Sequence, residues 1–362
     1  NKIREKIMGM AFFGPALVLL TLFLFIPMIL TLIFSFTDFF TLNPSATKFV
    51  GLRNYTRLFN DELFGKAFFN TIKFALVVVP LQMGGALLLA LGINKVTHCK
   101  KYFKIAFFIP VVMSLAVVST LWMQIYSPEG ILNNMLNAIG ISSQPFIFSK
   151  DQALNSISAL SIWQGMGYQM IIFLGGLQAI SPSLYEAAEI DNASGWGKFW
   201  NVTVPELKPI SIYILLTITI GAFKLLVQPM VMTGGGPAFS TYSLVYYIYD
   251  TGTVNWDMGY SSAMAIVFML VLSLLFLFPI IWMIVNSFKS DAMITQDMNS
   301  IAAFLPPLSF DNFFENYITI ITNSSLMRYM TNTLVYAAIL IVLSIIVNGL
   351  AGYALAKINF PF

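Results

Sequence analysis

The sequence predicts an all-α fold, a polytopic bundle of helices that crosses a membrane. Hydrophobic residues make up 58% of the chain and charged residues 10%, whereas a soluble domain carries about 25% charged residues. The mean hydropathy is +0.80. A helix needs about 20 apolar residues to cross a bilayer. Seven stretches reach that length, namely residues 11–36, 67–93, 105–126, 155–178, 210–232, 260–285 and 332–356.

The basic residues predict which side of the membrane each end occupies. The first residues, NKIREKI, lead into the first stretch without a small-residue cleavage site, which is typical of a retained end. Four lysines lie at 95–104, between the second and third stretches, and residues 234–259 contain no Lys or Arg. Because cytoplasmic loops are enriched in basic residues, the N-terminus is expected in the cytoplasm. The loop at 37–66 departs from this rule with four basic residues.

The apolar stretches lack the side chains that several membrane functions require. None of the 16 acidic residues lies in them, and the single histidine, His98, falls between two stretches. Ion-coupled carriers usually need an ionisable group near the middle of the bilayer. Hydrolysis needs paired carboxylates, a metal-ligand set or an activated nucleophile. The sequence therefore predicts neither an enzyme nor a metal site, and a secondary, ion-coupled carrier stays as the alternative.

ATP binding by this chain is also not expected. A phosphate-binding loop of the form G-x-x-x-x-G-K-[ST] does not occur, and GWGKF has a Gly-Lys pair without that spacing. We therefore expect no cofactor in this chain. If transport is powered by ATP, the ATPase is another polypeptide.

The polar segment SPSLYEAAEIDNASGWGKFWNVTVPELKP, residues 181–209, follows the fourth stretch and so is expected on the cytoplasmic side. Ser183 and Glu186 have the spacing of a capping box, which predicts a short helix to about Asp191. Asn192 suits the left-handed conformation that ends a helix. A second short helix should follow, with Trp196, Phe199 and Trp200 on one face against the membrane domain, and should end at Pro205.

This segment resembles the cytoplasmic coupling motif in the permease subunits of bacterial binding-protein-dependent ABC importers, E-A-A-x-x-D-G-A followed by a hydrophobic residue and Pro. The motif positions are Glu186, Ala187, Ala188, Asp191, Asn192, Ala193, Val202 and Pro205, with Asn192 in place of Gly. The segments GLRNYTRLFND, FFNT, TGGGP and MGYSSAMA resemble the carbohydrate-uptake branch of that family. The resemblance covers most of residues 1–270.

The resemblance implies a permease unit at residues 1–270 with its coupling segment at 181–208. In such importers this helix docks in a groove of a cytosolic ATPase subunit. The implied partners are a second permease subunit, two cytosolic ATPase subunits that bind ATP and Mg²⁺, an extracytoplasmic solute-binding protein and the lipid of the inner membrane, but no nucleic acid. The implied function is uptake of sugars or polyols.

Aromatic and hydrogen-bonding residues in the spans are candidates for the substrate path. They are Trp122, Gln124, Tyr126, Trp163, Gln164, Tyr168, Lys224 and Gln228. For each Trp or Tyr near a span end, a role as interface anchor is the more common one. Lys224 either lines the path or extends its stem to reach the interface. Val227 stands where the family usually has an acidic residue.

An internal repeat predicts the beginning of a second, related permease unit at 271–362. PMILTLIFSF (27–36) is matched by PIIWMIVNSF (279–288), and in both copies Asn-Tyr precedes Asn-Thr by 16 residues. The sixth span of the first copy and the first span of the second should run in opposite directions, yet 260–285 is the one stretch available for both. This conflict predicts a chain junction, or missing residues, near 268–277. The alternative is a fused or shortened permease.

Overall fold

The computed structural model describes residues 14–96, 99–297, 300, 302, 305–307, 314–323 and 328–340. The segment NKIREKI, the start of the first stretch, His98, residues 341–356 and the closing AGYALAKINFPF lie outside the described residues. Within the described part, the secondary structure is helical apart from two isolated β-bridges, which join Thr37 to Phe49 and Phe40 to Asp257. The all-α prediction is confirmed.

The chain forms two compact units, Asn1–Met269 and Leu270–Phe362. The helices that begin in the first unit are α1 (Gly14–Ser35), α2 (Arg53–Phe59), α3 (Glu62–Lys95), α4 (Lys100–Val112), α5 (Leu115–Ile125), α6 (Ile131–Ala138), α7 (Ala153–Ala179), α8 (Pro182–Ile190), α9 (Gly195–Lys198), α10 (Val204–Phe223), α11 (Val227–Met232), α12 (Leu244–Tyr249) and α13 (Met258–Ser287). The second unit contains α14 (Asp291–Asp297), α15 (Glu315–Asn323) and a helix at 328–340.

Five helical segments of the described chain are long and apolar enough to cross a membrane, and they match predicted stretches. They are Gly14–Ser35, Glu62–Lys95, Ala153–Ala179, Gly195–Met232 and Met258–Leu277. A bent pair, α4 and α5, makes a sixth. The seventh predicted stretch, 332–356, is helical to residue 340 and then leaves the described residues.

Two of the predicted spans differ in shape from a straight helix. The stretch at 105–126 bends by 100° between α4 and α5. Pro110 lies inside α4 and removes a helical hydrogen bond, and Met113 at the break is extended. The stretch at 210–232 is interrupted at Lys224, and its helix begins earlier, at Val204.

The core of the first unit is built around α7, where small residues allow close helix packing. A Cβ atom on Gly167 would lie 2.0 Å from the carbonyl oxygen of Phe107 in α4. A Cβ on Gly165 would lie 2.3 Å from Nε2 of Gln82 in α3. Gly167 therefore lets α4 and α7 approach closely, whereas a Cβ at Gly165 would meet only the flexible end of Gln82, which can move aside.

The helix directions place α8 at one end of the first unit. Gln228, just beyond the end of α10, donates to Ser161 in the first half of α7, and Leu207 near the start of α10 faces Gly176 near the end of α7, so α7 and α10 run in opposite directions. The start of α3 lies at the C-terminal end of α10, because Leu244 donates to Thr71 while Ser243 donates to the carbonyl of Leu225, and α3 therefore runs the same way as α7. Asp61 caps the start of α3. Since α8 follows the end of α7, it lies at the end of the unit opposite Asp61.

The repeated segments form the same set of contacts in each unit, which we call the clamp. In the first clamp, the amide of Asn54 donates to the carbonyls of Ser35 and Thr37 at 2.9 and 2.8 Å, and the hydroxyl of Tyr55 donates to Oγ of Ser35. The ring of Phe36 lies 5.5 Å from that of Tyr55.

In the second clamp, the amide of Asn316 donates to the carbonyls of Ser287 and Lys289 at 3.0 and 2.7 Å, and the hydroxyls of Tyr317 and Ser287 are 2.6 Å apart. The rings of Phe288 and Tyr317 are 5.4 Å apart. The sequence repeat is thus also a repeat of contacts. Helix α13 runs unbroken through 268–277. The second permease unit and the junction stay predictions.

Candidate functional site

The predicted coupling segment forms a helical hairpin, α8 and α9, between α7 and α10. The predicted capping box is wrong, because α8 begins two residues earlier than expected. Ser181 is the N-cap and Pro182 the first helical residue, a position that Pro favours because its fixed φ suits the helix and it has no N–H to satisfy. Oγ of Ser183 contacts Oγ of Ser181 at 2.7 Å, and Glu186 lies on the exposed surface.

The end of α8 follows the prediction closely. Asn192 has a left-handed backbone with φ of 55°. Its N–H donates to the carbonyl of Glu189 at 3.0 Å, and the N–H of Ala193 donates to that of Ala188 at 2.9 Å. This bond pair is the Schellman motif. Asn therefore maintains the turn at the motif position where the family usually has Gly.

The aromatic face of the second short helix does not pack as predicted. Trp196 is 71% exposed and Trp200 is 52% exposed. The ring of Trp196 stacks on Phe199 and that of Trp200 meets both edge-on, at 5.3 to 5.8 Å, so in the first unit this face points away from the core. The hairpin is instead fastened by a 2.6 Å ion pair from Lys198 to Glu189 and by contacts at its base.

The base of the hairpin continues directly into a membrane span. The hydroxyls of Tyr185 and Thr203 lie 2.9 Å apart, and a π-helical turn at Phe199–Thr203 joins α9 to α10. Pro205 does not end this helix, contrary to the prediction. It lies in the first turn of α10, where its missing N–H interrupts few helical bonds. A displacement of the hairpin would therefore pass straight into α10.

The first unit contains a cavity of about 290 Å³ between α3, α7 and α10. Three predicted path residues line it, Gln164, Lys224 and Gln228. Nε2 of Gln228 donates to Oγ of Ser161 at 3.3 Å, and Nε2 of Gln164 lies 3.3 Å from the carbonyl of Pro110 at the bend. The cavity presents amide and hydroxyl groups, which are suited to the hydroxyls of a sugar.

The other five predicted path residues lie elsewhere. Trp122 packs against Trp163 at 5.5 Å and against Tyr126 at 5.2 Å. The hydroxyl of Tyr126 donates to the carbonyl of Ser156 at 2.9 Å, which is a structural role. Gln124 and Tyr168 are exposed and do not line the cavity.

Four polar lining residues were not predicted, namely Gln82, Ser161, Gln169 and Thr217. Gln82 donates to Oε1 of Gln169 at 3.1 Å, and both glutamines are buried. A glutamine in the middle of an apolar stretch was the available signal, since an amide there needs a partner.

A second polar cluster, the Asp61 cluster, lies at the opposite end of the unit from α8. The carboxylate of Asp61 accepts hydrogen bonds from the hydroxyls of Tyr247 and Tyr260, each at 2.6 Å, and from the backbone N–H groups of Leu63 and Phe64. Burial alone would raise the pKa of Asp61, but these four hydrogen bonds outweigh burial and hold the pKa below its ordinary value.

This depressed pKa makes a pH-dependent contribution to stability. Replacing Asp61 by Asn should destabilise the first unit by about 2 kcal/mol at neutral pH, since hydrogen bonds to a charged group are lost. The stabilisation is complete above the unfolded pKa of about 3.9 and is lost as the pH falls through the lower folded pKa. Thermal melts from pH 7 to pH 3 should show the gap between the wild type and Asp61→Asn closing below about pH 4.

The neighbouring Glu62→Gln variant serves as the control for this experiment, because Glu62 is exposed and its side chain makes none of these four bonds. It should keep the wild-type profile. A gap that widens on acidification would contradict the role of Asp61.

No group of three or more His, Cys, Asp or Glu residues is placed to hold a metal ion in the part of the chain that the structure describes.

The chain is similar to curated membrane proteins over most of their length. It is 35% identical to the probable ABC transporter permease protein YurN of Bacillus subtilis over 74% of this chain and 93% of that protein. It is 36% identical to the lactose transport system permease protein LacF of Rhizobium radiobacter over 73% of this chain and 89% of that protein. No family model matches the chain.

Among solved structures, the fold is similar to a chain of a bacterial alginate ABC transporter in complex with an alginate pentasaccharide-bound periplasmic protein. The TM-score is 0.68 at 24% identity, over 83% of this chain and 98% of that chain.

Proposed function

Because this chain belongs to the sugar ABC transporter permeases, we propose that it is the transmembrane subunit of an ATP-driven importer for sugars or polyols, in which it forms the translocation path and couples to cytosolic ATPase subunits. It is an integral protein of the inner membrane. Its N-terminus and the hairpin of α8 and α9 face the cytoplasm.

The observation that best supports the proposal is that helix α8 is exposed and is held in shape by contacts within the hairpin. Glu186 and Ala187 lie on its surface, and the Schellman motif at Asn192 and the ion pair of Lys198 help to keep its shape. The small side chains of Ala187 and Ala188 let another surface come close. Such a helix is suited to fit a groove of a second protein, as in helix-in-groove recognition.

The coupling then follows the covalent path from α8 to the cavity. Closure of two ATPase subunits on ATP and Mg²⁺ pulls on the hairpin, which is continuous with α10 through the π-helical turn. Thr217 and Lys224 of this span region line the cavity. Rigid-body rocking of the spans exposes the cavity to one side of the membrane and then to the other.

The proposed partners are a second permease subunit, two ATPase subunits and an extracytoplasmic solute-binding protein. ATP and Mg²⁺ bind to the ATPase subunits, and this chain needs no cofactor or ATPase site of its own. The two matching clamps support the proposal that residues 271–362 are the start of a second permease unit. A secondary carrier is the rival. It would transport under an ion gradient without ATP.

Cysteine labelling tests the proposed orientation. The chain has one cysteine, Cys99, which is exposed, so the background variant is Cys99→Ser. A membrane-impermeant maleimide added to intact spheroplasts should label Val254→Cys, which lies between α12 and α13 and is 57% exposed. It should label Ala187→Cys only after the membrane is permeabilised. Labelling of Ala187→Cys in intact spheroplasts would refute the coupling role.

A further inference from the structure

The cavity holds one charged side chain, and it is a cation. Lys224 is the one charged residue among those that line the cavity. It caps the C-terminal end of α10, and its backbone N–H donates to the carbonyl of Gly221 at 3.1 Å. Its ammonium group has no hydrogen bond or ion pair to any residue that the structure describes.

Lys224 is exposed and lies within Gly195–Met232, a helical segment long and apolar enough to cross a membrane. Moving a charged side chain into a membrane span is costly, and such residues usually pair or line a ligand path. The two acidic residues within the described spans, Glu62 and Glu206, lie in the first turns of their helices, and neither lines the cavity. The carbonyls at the end of α10 offer a partial negative charge, which makes the lysine tolerable there but leaves its three donors available to a ligand.

The other polar side chains that line the cavity are neutral amides and hydroxyls. Gln228 and Ser161 pair with each other, as do Gln82 and Gln169, and each pair keeps free acceptor or donor positions for hydroxyl groups. The polar groups of the cavity are therefore neutral except for Lys224, where α10 ends, and the rest of the wall is apolar.

We propose that Lys224 gives this permease a preference for a solute that carries an anionic group, either a carboxylate or a phosphate, on a sugar or polyol. The ammonium pairs with the anion while the glutamine and serine side chains bind the hydroxyls. This inference rests on the proposed role of the cavity as the translocation path. It adds the charge of the solute, which the resemblance and the relatives leave open.

The test uses the complete importer in its nucleotide-free form, purified with this chain, and three probes that share one ring: galactose, galacturonate and galactose 6-phosphate. Binding is measured by saturation-transfer NMR, which detects weak ligands. At least one anion should bind about tenfold more tightly than galactose. Comparing the two anions distinguishes a carboxylate from a phosphate.

Three variants locate the effect. Lys224→Met should abolish the preference for the anion, whereas Lys224→Arg should keep it. Lys208→Met is the matched control, because Lys208 is an exposed lysine of the same helix that does not line the cavity. It should behave as the wild type.

The inference is overturned if neither anion binds, if galactose binds as tightly as both anions, or if Lys224→Met keeps the preference. The two proposals can fail independently. The binding measurement tests the cavity and needs no ATP, whereas the labelling of Ala187→Cys tests the orientation of the coupling helix and needs no solute.

Discussion

Reversing the charge at Glu186 should abolish ATP-driven uptake while the fold stays intact. The side chain is exposed and makes no hydrogen bond or ion pair among the described residues, so Glu186→Lys costs the chain little stability. If α8 is seated in a groove of an ATPase subunit, a lysine there meets the partner groups that face a carboxylate. Like-charge contacts at an interface cost several kcal/mol. We therefore expect uptake to fall at least about 100-fold.

The measurement is uptake and ATP hydrolysis by the reconstituted importer with solute-loaded binding protein. Glu129→Lys is the matched control, because Glu129 is an exposed glutamate between α5 and α6, outside the hairpin. It should transport as the wild type. Full uptake by Glu186→Lys would remove the basis for coupling through α8. Equal loss in both variants would indicate a general effect of charge reversal.

Adding one methyl group at Gly167 should have the largest effect on stability. The new Cβ would lie 2.0 Å from the carbonyl oxygen of Phe107, and a backbone atom cannot turn aside as a side chain can. The helices α4 and α7 would have to separate, and small residues at helix interfaces are what permits such close packing in membranes. We expect Gly167→Ala to cost about 2 to 3 kcal/mol.

The same helix supplies the control. Gly175 has no atom within 4 Å of its ideal Cβ position, so Gly175→Ala meets open space and gains the better helix propensity of alanine, about 1 kcal/mol. In thermal unfolding in detergent, Gly167→Ala should melt several degrees below the wild type, and Gly175→Ala at or above it. Equal melting temperatures of the two variants would show that α4 and α7 are not packed this closely.

The sequence predicted the spans well and their shapes poorly. The position of a membrane span is set by the hydrophobicity of its own residues, which the sequence gives directly. The helices of the structure therefore differ from the predicted stretches mainly at their ends. The sequence indicated a place for a bend between α4 and α5 but not that the bend would be 100°. Pro110 indicates a weak point, but the contact of Gln164 with the carbonyl of Pro110 comes from another helix and could not be predicted from the local sequence.

In the candidate site too, local features were predictable from the sequence and features that depend on packing between helices were not. The end of α8 was predictable because Asn192 favours the left-handed turn by its own chemistry. The start was predicted wrongly because two helix-start signals overlap, and Pro182 outweighs Ser183. The cavity depends on residues from three helices, so Gln82 and Gln169 could be recognised as partners only after α3 and α7 were placed side by side. The exposed face of Trp196 and Trp200 shows that a 3.6-residue pattern identifies a face without identifying what covers it.

The clamp has a consequence for how the protein is made. Asn54 bonds to Ser35 across 19 residues, and Asn316 bonds to Ser287 across 29. Loops this short close early because little chain entropy is lost. Each leading span can therefore be fastened to the segment that follows it while the ribosome is still adding the next hydrophobic stretch. The next span can then insert beside a leading span that the clamp already holds.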